Sequence, residues 1–460
     1  MATYYVGSGG NDASAGTSWG ARKLTLGGAE AIPVAAGDTV YVGPGVYREL
    51  LTVAVSGTNG NPITYIADVS GANTDGIGGI VRITGSDNDQ ANTRSQCVTL
   101  TSFNYRTFRG FALDGGSADL FHLVSPSNVI IEDCFLQATA NIHCVNVSGA
   151  SQAAVTVRRC QIVTGYGGSA CQFAHSANVS DVAHVVENCV LLGVHNTSII
   201  YDEHIGGITI RNCVIRGGYG VDLGILPAAG QTITVNNCVL CGNTTALNGN
   251  TSGYIVENYN TFNANSTNRV NVATGANSVT YPPLFDMPVL RAGFIHWPWR
   301  AFALSEWSQV RAITGTGTPT DDLLGVTRPT TAGKLSWGPL QWNDVSQSTT
   351  QVHAGTYALK LADAGRVQWV VPTTAVSTTI TVYVYREANY AGTNPQLVIK
   401  QPGQSDITAT DAGASGGWNQ LSSGAFTPAA SPPYVVVEVV SNNTATSGSY
   451  NTYVDDLAVA

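Results

Sequence analysis

The chain has 460 residues, of which 11% are charged and 43% hydrophobic, with 21 Lys+Arg against 30 Asp+Glu and a formal net charge of -9. An ordinary domain carries about 25% charged residues, and a disordered chain makes up for low hydrophobicity with charge, so this composition excludes disorder. No run approaches 18 apolar residues, which excludes a membrane-spanning helix, and no cluster of cations is present to displace counterions from a nucleic-acid backbone.

The length allows two or three domains, and abundant Val, Ile, Thr, Gly and Asn with few Lys and Glu point to strands and turns. The opening Met1-Ala2-Thr3-Tyr4-Tyr5-Val6-Gly7 has neither a basic region nor an apolar run, so no secretory signal is read there. Nine cysteines fall between Cys97 and Cys241, an odd number confined to one third of the chain. That is not the pattern of a disulfide framework. The one close pair, Cys238 and Cys241, lacks a second pair or nearby histidines to complete a zinc site. Reduced, buried thiols are expected.

The middle of the chain repeats itself. Val129-Ile130-Ile131-Glu132-Asp133-Cys134 is followed by Val155-Thr156-Val157-Arg158-Arg159-Cys160, His184-Val185-Val186-Glu187-Asn188-Cys189, Ile208-Thr209-Ile210-Arg211-Asn212-Cys213 and Ile233-Thr234-Val235-Asn236-Asn237-Cys238. A last copy, Tyr254-Ile255-Val256-Glu257-Asn258-Tyr259, reads as the same unit with tyrosine for cysteine. The successive spacings are 26, 29, 24, 25 and 21 residues, a period that marks a solenoid. Alternation of period two makes it a solenoid of strands. Asn188, Asn212, Asn237 and Asn258 are expected at a bend, where asparagine tolerates left-handed backbone angles, and the cysteines are expected to stack in the core. A third strand per coil is read at Cys144-Val145-Asn146-Val147, Cys171-Gln172-Phe173, Ile199-Ile200-Tyr201-Asp202, Val221-Asp222-Leu223 and Ala246-Leu247-Asn248. Three short parallel strands per coil describe a parallel β-helix, whose backbone groups pair between coils. Ion pairs are then not needed for stability, which accounts for the low charge.

Five of the eight tryptophans lie between 297 and 342, among them His296-Trp297-Pro298-Trp299-Arg300. They are read either as a cap on the open end of the solenoid or as a sugar-stacking platform. From about 342 the cysteines vanish and longer strands appear at Thr379-Ile380-Thr381-Val382-Tyr383-Val384-Tyr385, Gln396-Leu397-Val398-Ile399-Lys400, Tyr434 to Val440 and Tyr453 to Val459, as in a β-sandwich. The expected class is therefore all-β, with an entry segment over 1–35, a parallel β-helix over 36–290, an aromatic-rich cap or linker over 291–341 and a β-sandwich over 342–460, which the resemblance given below makes a jelly roll.

Chemistry on a sugar chain needs two carboxylates flanking the bond, or a base with a cation or metal. The best cluster in the coils is Asp202, Glu203 and His204, with Asp222 on the next coil and Arg211 or Arg216 nearby in sequence. Asn146, Gln172, Asp222 and Asn248 are expected to line one outer face, read as a solvated face, a glycan-binding face or a catalytic one. Trp418 is a further glycan-binding candidate. Only Lys23 lies in the first 333 residues, which argues against a lysine base. His122, His143 and His195 are read as satisfied surface or groove residues. A nucleophile elbow, a phosphate-binding loop, an H-E-x-x-H pair and a dinucleotide fingerprint are absent.

Tyr4 to Asp12, Gly16-Thr17, Ala36-Gly37-Asp38-Thr39-Val40-Tyr41-Val42-Gly43-Pro44-Gly45-Val46-Tyr47-Arg48-Glu49 and Asn61-Pro62-Ile63-Thr64-Tyr65 resemble the entry of right-handed parallel β-helix proteins of the pectate-lyase-like superfamily. Pro283-Leu284-Phe285-Asp286, Phe302-Ala303-Leu304 and Asp322 to Pro329 resemble its exit, although Gly338-Pro339-Leu340-Gln341 departs from the usual ending. The stretch from His353 to Lys360 and the strand with Asp455-Asp456 resemble jelly-roll carbohydrate-binding modules, in which an aspartate at the position of Asp455 can hold a structural calcium. No other cofactor is implied. The superfamily includes lyases, hydrolases, adhesins and phage spikes. An extracellular type of fold with reduced cysteines and no export signal leads to the expectation of a phage virion protein, a spike, fibre or capsid decoration. It would be assembled in the host cytoplasm and exposed outside the cell, with other virion proteins and host cell-surface polysaccharide as partners and a homotrimer as a candidate assembly. The alternative is a secreted polysaccharide lyase or hydrolase with an appended carbohydrate-binding module.

Overall fold

The computed structural model describes residues 1–280 and 345–459, apart from 33, 90, 139–140, 151, 175–183, 194–197, 204–206 and 226–231 in the first stretch and 349–350, 355–357, 363–365, 374–375, 389, 391, 402–404, 429–433 and 444–450 in the second. The expected cap over 291–341, its tryptophans, the exit motif and His195 and His204 lie outside the described residues. The chain divides into two compact units, Met1–Gln341 and Trp342–Ala460.

Among the described residues the first unit is a parallel β-helix with three sheets of ten, nine and nine strands. Sheet 1 runs from Thr3–Val6 through Thr39–Val42, Ile63–Ala67, Asn104–Arg109, Ser127–Glu132, Ala153–Arg158, His184–Glu187, Ile208–Arg211 and Ile233–Asn236 to Ile255–Asn258. Sheet 2 is made of short strands such as Phe135–Gln137 and Val214–Arg216, and sheet 3 contains Asp119–Val124, His143–Ser148, Cys171–Ala174, Ser198–Glu203, Tyr219–Ile225 and Thr245–Asn248. Inward residues alternate with outward ones, as the sequence period requires. Val129, Val155, Ile208 and Ile233 of sheet 1 and Val145, Cys171, Ile200, Val221 and Leu247 of sheet 3 are all fully buried in one continuous core.

The bend after each of the last six sheet 1 strands is held by a residue with positive φ: Asp133 (57°), Arg159 (52°), Asn188 (54°), Asn212 (53°), Asn237 (57°) and Tyr259 (56°). Asparagine takes this conformation most readily, and three consecutive coils use it. The expected place of Asn258 is corrected: it pairs with Asn236 inside the strand, and Tyr259 makes the bend. Asn260 therefore stands where the other coils have cysteine, donating from Nδ2 to Val235 O at 2.7 Å and accepting from Cys238 N at 2.8 Å. Each cysteine of the row does a similar service. The thiols of Cys134, Cys160, Cys189, Cys213 and Cys238 donate to the carbonyl two residues earlier at 3.2–3.3 Å, satisfying a polar group that the bend turns into the core. All nine cysteines are free and buried.

Ion pairs are concentrated rather than dispensed with. Along sheet 1 the register aligns Arg109, Glu132, Arg158, Glu187 and Arg211, a ladder of alternating charge. Glu132 is fully buried and pairs with Arg109, with Arg158 at 2.6 Å and with Arg159 at 2.9 Å. Burial raises the pKa of Glu132, but the charges of Arg158 and Arg109 and their hydrogen bonds outweigh it and hold the carboxyl below the usual range.

The amino-terminal end is closed by a short helix, Leu26–Glu30. Its last residue reaches inward: Glu30 pairs with Arg106 Nη1 at 2.8 Å and Nη2 at 3.0 Å, and accepts from Tyr65 Oη at 2.8 Å and Ala54 N at 3.1 Å. Arg106 Nε donates to Val55 O at 2.7 Å. The second unit is a β-sandwich of one five-stranded and one four-stranded antiparallel sheet. The sheets share a core of residues such as Val382, Val384 and Val454 from the first and Leu397, Ile399 and Val437 from the second.

Candidate functional site

Sheet 3 presents one outward row across eight consecutive strands. Register carries it from Thr52 to Thr99, His122, Asn146, Gln172, Tyr201, Asp222 and Asn248. Adjacent strands lie about 4.8 Å apart, so the row places one outward side chain at each such step. The expected glycan-binding set, Asn146, Gln172, Asp222 and Asn248, belongs to this row. Its members are half-buried side chains on a rigid scaffold. Asp222 accepts from Ser198 Oγ at 2.7 Å and from Asn248 Nδ2 at 2.9 Å. The ring of Tyr201 lies against Gly224, where an added Cβ would come 2.1 Å from the tyrosine hydroxyl.

The row also contains a pair that sequence reasoning passed over. His122 Nδ1 lies 2.7 Å from Oδ2 of Asp119, whose side chain is 5% exposed while that of His122 is 28% exposed. A buried carboxylate beside Nδ1 fixes the hydrogen there and leaves Nε2 as the acceptor of the ring. Asn146 donates from Nδ2 to the same carboxylate at 3.2 and 3.3 Å, and its Oδ1 is buried with no partner among the described residues. Residues three apart on a strand point to opposite faces, so nothing in the pattern of Asp119-Leu120-Phe121-His122 announces the contact. It arises because Asp119 is the first residue of its strand.

Of the expected catalytic cluster, the described residues Asp202, Asp222 and Arg211 are not brought together. Asp202 is fully buried and lies in register with Phe173 and Leu223, on the inward row, because Tyr201 before it points out. Glu203 pairs through its backbone with Ala174 and, past a register shift, with Ile225. Arg211 lies on sheet 1, bound to Glu187 at 2.6 Å, on a different sheet from Asp222. His143 Nδ1 accepts from Ser169 N at 3.1 Å.

In the sandwich, Trp418 joins an aromatic group. Its ring centroid is 5.4 Å from that of His353 and 5.7 Å from that of Tyr385, and His353 stacks on Tyr383 at 3.7 Å. His353 is fixed by Asp456 at 2.6 Å. The Asp455 carboxylate accepts from the backbone N–H groups of His353 at 2.9 Å, Ala354 at 3.2 Å and Asp456 at 2.9 Å. Among the described residues no group of three His, Cys, Asp or Glu side chains converges on a metal position. The aspartate ties the strand end to the segment at 353–354.

No protein-family model matches the sequence, and no curated protein matches it. Among solved structures, a rhamnogalacturonan lyase is similar at 19% identity over 57% of this chain and 74% of its own, with a TM-score of 0.44. An alginate lyase from a Paenibacillus species is similar at 13% identity over 60% of this chain and 97% of its own, with a TM-score of 0.32. A carbohydrate-binding module solved with β-1,4-galactotriose is similar at 15% identity over 24% of this chain and 72% of its own, with a TM-score of 0.19. At these values the likeness assigns no activity. The strand pairing itself makes the chain a parallel β-helix with an antiparallel β-sandwich.

Proposed function

We propose that the protein engages a polysaccharide laid along the outward row of sheet 3, and that it is a polysaccharide lyase with the sandwich as an appended glycan-contacting module. The observation that carries this reading is the unbroken polar row from Thr52 to Asn248, one side chain per coil, with a partly exposed histidine in it. Hydroxyl, amide and carboxylate groups at regular steps along a sheet suit the hydroxyl-rich face of a sugar chain. Display on a virion would need only the binding face. The Asp119–His122 pair adds a proton-transfer group, which favours the enzyme.

Lysis of the chain by elimination is preferred over hydrolysis. Paired-carboxylate hydrolysis needs its two groups within roughly 10 Å. Among the described residues two carboxylates contact the row, Asp119 and Asp222, and they are four strands apart, or about 19 Å. Incubation of the protein with a panel of neutral and acidic polysaccharides, with binding read by calorimetry, tests the reading. Binding is expected to weaken by about 5- to 10-fold in Asn146→Ala and in Asn248→Ala, on the order of 1 kcal/mol per lost hydrogen bond. Unchanged affinity in both variants, or no binding to any polymer, would overturn it.

A further inference from the structure

We infer that the outward face of sheet 1 is a self-association surface, on which a second copy of this chain packs about a twofold axis running along the solenoid. The inference is independent of the glycan reading, which concerns sheet 3. Register carries one outward row across all ten strands of sheet 1, from Thr3 to Val256. Every residue of this row is β-branched: seven are threonines, and the others are Ile130, Val185 and Val256. Strand propensity favours such residues, but it acts equally on sheet 3, whose outward row carries His122, Asn146, Gln172, Tyr201 and Asp222. Propensity alone therefore leaves the uniformity of the sheet 1 row unexplained. Thr107 apart, each member is half-buried or exposed, with Val256 at 52%, so the row meets solvent along its length.

The row beside it, two residues further along each strand, is made of longer side chains. It begins with Tyr5, Tyr41 and Ile66 and continues into the ladder from Arg109 to Arg211. A second copy turned about an axis parallel to the rows brings its long row over the short row of the first, and the reverse, which is the isologous contact of a twofold dimer. The arginine stems then lie on the β-branched methyl groups. Glu132 is already paired with Arg109 and Arg158, and Glu187 with Arg211. The contact therefore covers no unpaired carboxylate of the ladder, which is the condition for burying charge without a heavy penalty. The same pairing leaves the face without a run of one sign, which a nucleic acid or an acidic polymer would need. Ten strands about 4.8 Å apart make a row about 43 Å long, and the two rows lie about 7 Å apart. With the reach of the side chains the strip covers roughly 600 Å² per copy, or roughly 1,200 Å² in total, the size at which specific interfaces begin.

The test measures the mass of the full chain in solution by sedimentation velocity over a concentration series, with circular dichroism melting to verify folding. Wild type is compared with a double variant, Thr156→Arg with Thr209→Arg, and with Ile77→Arg. The double variant fills the short row with long side chains, whereas Ile77→Arg changes an apolar residue, 85% exposed, outside sheet 1. Wild type is expected to reach twice the chain mass of 47.9 kDa. The double variant should weaken the dissociation constant at least about 10-fold, and Ile77→Arg should stay within about 3-fold of wild type. The geometry is read with Thr209→Cys: the native thiols are all buried, so a short bis-maleimide should join this residue of one copy to the same residue of the other. Monomeric wild type at every concentration would overturn the inference, as would a dimer retained in the folded double variant. A trimer, or a dimer that the reagent does not link at Thr209→Cys, would overturn the twofold arrangement. Monomeric wild type that pellets with cellulose, when the double variant does not, would give the face to a neutral polymer and overturn the inference as well.

Discussion

Arg106→Met is expected to destabilise the amino-terminal end of the β-helix severely. Arg106 is fully buried, and the Glu30 side chain is 5% exposed. The guanidinium supplies two of the four hydrogen bonds to Glu30 and the one to Val55 O. The substitution keeps most of the packing volume but strands a carboxylate in the core, with only Tyr65 and Ala54 as donors. Breaking a buried pair from one side costs about 3–5 kcal/mol. At about 2.1 cal/mol/K per residue, the unit Met1–Gln341 unfolds with an entropy of roughly 0.7 kcal/mol/K, so its melting temperature should fall by roughly 4–7 °C. Removing both charges, Glu30→Gln with Arg106→Met, leaves no stranded ion and should recover at least half of the loss. The assay is thermal unfolding followed by circular dichroism on the wild type and both variants. The reasoning is refuted if Arg106→Met melts within about 1 °C of wild type, or if the double variant is no better than the single one.

Three further expectations follow from other parts of the coil. Asn212, at φ 53°, should tolerate glycine better than alanine, with Asn212→Ala costing about 1–2 kcal/mol for a left-handed Cβ; equal melting of the two variants would contradict the bend assignment. All nine cysteines are buried, which closes off the thiols whether burial raises them, as at Cys97 and Cys241, or hydrogen bonds from neighbouring thiols lower them, as at Cys160 and Cys213. A thiol reagent near neutral pH should therefore label none of them in the native protein and all of them after denaturation, and rapid native labelling would rule out the stacked arrangement. Glu132 is held below its ordinary range in the folded state, so its stabilisation is full above the unfolded carboxylate pKa and is lost as pH falls through the folded one. Arg158→Gln removes part of what lowers it, so acid unfolding monitored by circular dichroism should begin at a higher pH than in wild type. An onset at the same or lower pH would count against the ladder.

The solenoid could be read from the sequence because its repeat is written in buried positions, where a residue has one place to go. The last coil misled because Tyr259 looks like the apolar successor of cysteine, whereas the backbone makes it the bend and gives the cysteine's carbonyl-binding task to Asn260. The charge ladder was legible in principle. Glu132, Arg158, Glu187 and Arg211 occupy one column of the repeat and alternate in sign, a pattern hidden when each coil is read for its apolar residues. The candidate site was harder. Asp202, Glu203 and His204 are adjacent in sequence, but strand alternation sends Asp202 into the core away from Tyr201. The Asp119–His122 contact depends on how a strand begins, which no periodicity reports.

The left-handed bends set the phase of the six coils that carry them. From Asp133 to Arg159, Asn188, Asn212, Asn237 and Tyr259 the interval changes from coil to coil, yet the strands that lead into each bend stay in register. Each bend therefore restarts the count, and length differences in the connections do not accumulate along the rows. A row built this way can be extended or shortened by whole coils without re-engineering its neighbours, much as a printed line gains or loses words while the type stays aligned. The length of such a face is then set by the number of coils, independently of the one coil that carries the histidine.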